Sequence, residues 1–177
     1  MPSRTGTPPR YSDVPLPRRR YVPGRGPHPR HGAEPHLPAL PPPTAPLDAG
    51  AWQDSTAYRY AIDLFNHEYF WEAHEVLEGL WRETPRTSPT ARFLKSLIQL
   101  SAACLREAPS RHAGARRLLA RARAELDTLT GAICGVDVKT LARRMQELSS
   151  DDRTRVLAFH LELRDTAPAS EASRTRH

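Results

Sequence analysis

The string His74-Glu75-Val76-Leu77-Glu78 gathers an imidazole and two carboxylates within five residues. On a helix turning about 100° per residue, His74 and Glu78 stand i and i+4 on one face, and Glu75 flanks both. Such a pair can hold one metal ion, as the two histidines of an HExxH helix do. A neutral imidazole and a carboxylate suit a divalent zinc, iron or manganese. Glu75 is then placed to act as general base toward a metal-bound water. Two ligands are too few for a stable site. Other histidines available to complete it include His28, His31, His36, His67, His112 and His160. The same residues also have a plain structural reading. Glu78 and Arg82 form a favourable i, i+4 pair, Glu72 and Glu75 can keep an exposed face wet, and a lone histidine beside an apolar stripe often only packs. The local mixture weighs toward chemistry, because Phe70, Trp71 and Trp81 stand among Glu72, His74, Glu75 and Glu78.

A helix must position these groups, and the spacing predicts one over about 69–83. Phe70, Ala73, Leu77 and Trp81 form its apolar stripe, with His74 at the margin. Tyr58, Ala61, Ile62 and Phe65 predict a preceding helix at about 55–65, capped by Asp54 or Ser55. A tight turn at 66–68 separates the two, since asparagine tolerates the conformation that ends helices; the alternative is one continuous helix. Ser88-Pro89 starts the next, with serine as N-cap and proline at the first position. Phe93, Leu94, Leu97, Ile98, Leu100, Cys104 and Leu105 cover a broad arc, which makes the helix at 92–106 the central one. Further helices are expected at about 111–130 and 137–149, joined by a loop at Ala132–Val136. A last one, capped by Asp151 or Asp152, would end near Arg164. No period-2 alternation is present. The expected fold is all-α: a compact bundle of five to six helices containing a hairpin like that of a TPR unit, without the repeat of a TPR array.

The 177 residues fit one domain and a tail. Of the 18 prolines, 14 lie in residues 1–50. Residues 1–50 are therefore expected to be a largely disordered Pro/Arg-rich segment, with a polyproline II linker at Leu40–Pro46. Residues 51–165 form the domain and 166–177 a frayed tail. No apolar run is long enough to span a membrane, and the first residues lack the apolar core of a secretory signal. Cys104 and Cys134 make no CxxC, which excludes a cysteine-rich zinc module or a disulfide framework and points to a cytoplasmic setting. The net charge of +6 sits mainly in residues 1–50, where seven arginines face three acids. Arg111, Arg116, Arg117, Arg121 and Arg123 scatter over one helix surface and read as a solvated face, so no nucleic-acid partner is expected.

Three segments carry a resemblance. FNHEYFWEAHEVLEGLW (Phe65–Trp81), FLKSLIQLSAA (Phe93–Ala103) and GARRLLARA (Gly114–Ala122) together resemble the DUF309 family over about residues 57–150. The resemblance implies a compact all-helical domain of unknown function, in a family that has carried the label of predicted metal-dependent hydrolase. Its signature polar residues fall on Asn66, Glu72, His74, Glu75, Glu78 and Gln99. His67 departs from the pattern: small residues are commoner in such turns, and a left-handed His67 would be mildly strained. RYVPGRGPHP resembles an N-terminal extension of some members, which implies that residues 20–36 order against the bundle.

Two function classes follow. In the first, a small metal-dependent hydrolase, His74 and Glu78 hold the ion and Glu75 is the general base. Glu72 belongs to the catalytic set, Gln99 or Asn66 positions a small-molecule substrate, and His28 or His31 reaches in from the N-terminal segment. In the second, a non-enzymatic helical module binds a basic or amine-bearing protein partner in a cleft lined by Glu72, Glu75, Glu78 and Trp71.

Overall fold

The structure is a computed structural model that describes residues 7–25, 28–29, 36–40, 43–105, 112–150 and 160–164. Among these it contains five α-helices and one two-stranded hairpin, so the fold is all-α as its periodicity predicts. No helix among the described residues is long and apolar enough to cross a membrane.

Helix α1 spans Thr56–Asn66, with the Ser55 side chain accepting the Tyr58 N–H at its start. It ends in a turn that sends α2 back across it as Phe70–Glu83. In that turn Tyr69 N–H donates to Leu64 O and Glu68 N–H to Phe65 O. These are the two bonds of a Schellman cap, whose left-handed position glycine usually takes. Here Glu68 occupies it at φ 67°, while His67 has φ −102°. The strain expected at His67 therefore falls one residue later, because the helix runs on through Asn66.

Helix α3, Pro89–Cys104, opens on Ser88 and Pro89, and the Ser88 hydroxyl accepts Ala91 N–H. It packs between α2 and α4 (His112–Leu126). Phe93, Leu94, Leu97 and Leu100 are all 0% exposed, which makes α3 the centre of the core. Ala115, Leu119, Ala122 and Leu126 meet it from α4. The segment expected as a plain loop forms a hairpin, β1 (Ala132–Ile133) against β2 (Val136–Asp137). Strands this short leave no alternation in the sequence. Helix α5, Val138–Ser150, follows at once, and the Asp137 carboxylate accepts Thr140 N–H at 2.7 Å. The hydrogen bonds from Thr140 hold Asp137 below the usual carboxylate range. Burial pushes the Cys134 thiol up to about 12, which leaves it inert as a nucleophile.

The predicted last helix does not reach Arg164. Residues 160–164 have no helical structure, and its caps, Asp151 and Asp152, lie outside the described residues. These residues close the bundle as an extended segment. Arg164 N–H donates to Gly135 O at 2.9 Å, and Leu161 is 3% exposed. Gly135 itself has φ +77°, and a Cβ there would lie 2.8 Å from the Trp52 ring. Gly135→Ala should therefore cost about 1–3 kcal/mol, from overpacking and a left-handed alanine together. Denaturant unfolding checks this, and an unchanged midpoint would remove Trp52 from that contact.

Within residues 1–50, expected to be largely disordered, the described stretches lie against the bundle. Pro17 and Ser12 are buried, Leu47 is 6% exposed, and Val14 and Leu16 pack against the core. Proline does suppress helix and strand here, but an extended chain can still be held by side chains of its neighbours. Asp63 of α1 holds this one. Its carboxylate accepts Tyr11 N–H (2.6 Å), Ser12 N–H (2.9 Å) and Ser12 Oγ–H (2.7 Å), and pairs with Arg10 Nε (3.1 Å). Within the segment 20–36 expected to order against the bundle, Tyr21, His28 and His36 each meet the Trp71 ring; residues 26–27 and 30–35 lie outside the described residues.

Candidate functional site

Helix α2 brings His74, Glu75 and Glu78 together: one donor atom from each lies within 4.8 Å of the others. All three are half-buried, so they are neither solvated nor sealed in the core. The helix exists because Phe70, Ala73, Leu77 and Leu80 bury one stripe, and that burial turns 74, 75 and 78 to its edge. His74 Nδ1 lies 3.2 Å from the carbonyl oxygen of Ile98 on α3. A carbonyl only accepts, so Nδ1 carries a proton, and in the neutral ring the lone pair is left on Nε2. This is the outer hydrogen bond that orients metal-bound histidines. Glu78 pairs with Arg82 at 2.9 Å, across an exposed i, i+4 contact. Such surface pairs contribute little to stability, which leaves the second Glu78 oxygen available at small cost.

Gln99 follows Ile98, and its Oε1 is buried with no hydrogen-bond partner. A buried amide oxygen left so is costly, and of the expected substrate-positioning residues Gln99 alone offers an uncommitted group.

Asn66 does not belong to this cluster. It is 3% exposed, its Nδ2 donates to Leu161 O (2.9 Å) and its Oδ1 accepts Leu161 N–H (2.7 Å). Both halves of the amide are consumed in tying the closing segment to α1, which corrects its assignment to the substrate. Glu72 is also moved. It is 0% exposed, and its Oε1 accepts Tyr21 N–H at 2.7 Å and meets His36 Nε2 at 2.5 Å. It lies under the N-terminal segment and not in an open cleft. Of the two N-terminal histidines expected as ligands, His28 packs edge-on against Trp71, ring centroids 5.5 Å apart. His31 lies outside the described residues. His36 also packs on Trp71, at 5.7 Å.

Asp63, Tyr60, Tyr69 and the pairing of His36 are not marked by any motif in the sequence. One signal was present: Asp63 sits between Ile62 and Leu64 in a helix whose every turn is apolar. That position alone does not bury it; Asp63 is 0% exposed because Tyr11 and Ser12 cover it.

Comparison with known proteins gives one match. Residues 58–118 fit a family model described as Domain of unknown function (DUF309). No curated protein and no solved structure matches the chain.

Proposed function

Because this chain belongs through residues 58–118 to the DUF309 family, whose function is unknown, we propose its role from the groups converging on α2: a small hydrolase holding one divalent cation on His74 and Glu78. The observation that carries this is the three donor atoms within 4.8 Å, with His74 Nδ1 already committed to Ile98 O. His74 and Glu78 supply two protein ligands, an imidazole and a carboxylate that suit zinc, iron or manganese, and a further ligand would have to come from outside α2. A cation held there supplies Lewis acidity and a water of lowered pKa.

The protein's own groups do the rest. The Ile98 carbonyl fixes the tautomer and plane of His74, so Nε2 is presented without a search through rotamers. Glu75 adjoins both ligands and takes a proton from the attacking water. Gln99 Oε1 accepts a hydrogen bond from the substrate. The walls are the half-buried Trp71 and Trp81, which narrow solvent access to the cluster.

Titration of the metal-free full-length protein with zinc or manganese, followed by calorimetry, tests the reading. One equivalent should bind, and His74→Ala and Glu78→Gln should each weaken binding by about a hundredfold or more. Absence of stoichiometric binding, or binding unchanged in His74→Ala, would sink the proposal. Thermal unfolding of the metal-free variants checks that the bundle itself is intact.

A further inference from the structure

A second face of the same helix hairpin is built to hold an extended peptide. Most of the groups that grip residues 10–21 come from α1, α2 or the turn between them, and Leu163 N–H adds one bond to the Tyr11 hydroxyl. Asp63 takes the backbone N–H groups of Tyr11 and Ser12, and Glu72 takes that of Tyr21. Between these anchors the Tyr60 hydroxyl donates to Pro15 O (3.1 Å) and the Tyr69 hydroxyl to Pro17 O (3.0 Å). Burial pushes the Tyr60 hydroxyl up to about 12, so it remains a donor at neutral pH. Arg10 pairs with Asp63 and Arg20 with Glu68, so a cation is read near each end. Tyr21 closes the contact edge-on against Trp71, at 5.5 Å.

Three features make this recognition and not incidental packing. Most of the bonds fall on backbone groups, and the prolines between the anchors leave carbonyls free but remove donors, which suits a receptor presenting hydroxyls there. Asp63 and Glu72 are both 0% exposed once the segment is seated, so its docking takes two carboxylates out of water and supplies their hydrogen bonds from backbone N–H groups. The charges also match: Asp63, Glu68 and Glu72 face a segment with arginines at both ends.

We propose that the α1–α2 face is a receptor for an extended peptide of the pattern Arg-x-Ser-x-x-Pro-x-Pro-x-x-Arg, occupied in cis by this chain's own residues 10–20 and able to take the same pattern in trans. The cis segment then acts as a competitor, since its effective concentration is in the millimolar range typical of a tethered ligand. The peptide face shares Trp71 with the metal site but none of its donors: Tyr60, Asp63, Glu68, Tyr69 and Glu72 all lie outside the three clustered groups.

The test uses full-length protein and a fluorescent peptide of residues 8–22, followed by anisotropy. Ser12→Pro weakens only the tethered copy, by deleting its N–H and hydroxyl donors to Asp63 and leaving the receptor side chains in place. This variant should bind the peptide saturably and about tenfold more tightly than the wild type does. Adding Tyr60→Phe and Tyr69→Phe should weaken trans binding by about tenfold, the effect of two neutral hydrogen bonds. A peptide with both Arg10 and Arg20 changed to glutamate should not bind. Failure of the folded Ser12→Pro protein to bind, or binding indifferent to the two tyrosines, overturns the proposal. If Ser12→Pro loses its helical signal, the wild type decides by amide exchange. Saturating peptide should then speed deuterium uptake at Tyr11, Ser12 and Tyr21, and unchanged uptake overturns the proposal equally.

Discussion

Asp63→Ala should destabilise the protein by about 3–5 kcal/mol, the range for removing one member of a buried charged network. The carboxylate is fully buried and receives Tyr11 N–H, Ser12 N–H, Ser12 Oγ–H and Arg10 Nε. Without it, three donors lose their acceptor under cover, and each such loss costs about 1–3 kcal/mol unless water replaces it. Arg10 is 34% exposed at its side chain and can return to water, so it adds little. The extended segment can also lift and rehydrate, which caps the total at its docking energy plus the newly exposed surface of Val14, Leu16 and Pro17. Two measurements distinguish the routes. Denaturant unfolding gives the total, and amide exchange at residues 11–21 shows whether the segment has lifted. A loss below about 1 kcal/mol with those amides still protected would mean that Asp63 is not their acceptor.

Leu97→Ala should cost about 2–5 kcal/mol, the spread observed for core leucines. Leu97 is 0% exposed on the helix that packs between α2 and α4, so a cavity there has walls on several sides and little freedom to collapse. The cost should therefore fall toward the upper part of that range. In a chain of this size each kcal/mol lowers the melting temperature by roughly 2–4 °C. A melting temperature within one degree of wild type would require that the faces of α3 have been assigned wrongly.

Much of the bundle can be read along the chain because its signals are local. Ser55, the Ser88-Pro89 pair and the apolar spacing on α3 each act within a turn or two, and all three stand where they are expected. Convergence of His74, Glu75 and Glu78 is local as well, since a helix leaves those spacings no other arrangement. The misread features are the ones set by distant partners. Asn66 resembles a site residue until Leu161, 95 positions later, takes both of its polar atoms. Glu72 reads as a charge that keeps an exposed face wet until a segment some fifty residues earlier covers it, and the same segment covers Asp63. Proline richness in residues 1–50 reports that the backbone cannot pair with itself, and says nothing of whether the side chains of a bundle will pair with it. The left-handed position of the α1–α2 turn lies between these cases. The turn is legible, but which residue takes φ 67° depends on where the last helical bond falls.

The bond from Leu163 N–H to Tyr11 Oη joins residues 152 positions apart, and Arg164 meets Gly135 beside it. For a chain emerging from a ribosome this imposes an order of events. The contacts among α1, α2, α3 and α4 join neighbours in sequence and can form as each helix appears. The buried amide of Asn66 and the ring of Tyr11 must wait until residues 161–163 have been made. A nascent chain ending near residue 150 therefore has its helices but not its closure, and exposes the surface that Leu161 later covers. The final cooperative step is the arrival of this short segment, whose entropic cost grows only slowly with the length of chain it encloses.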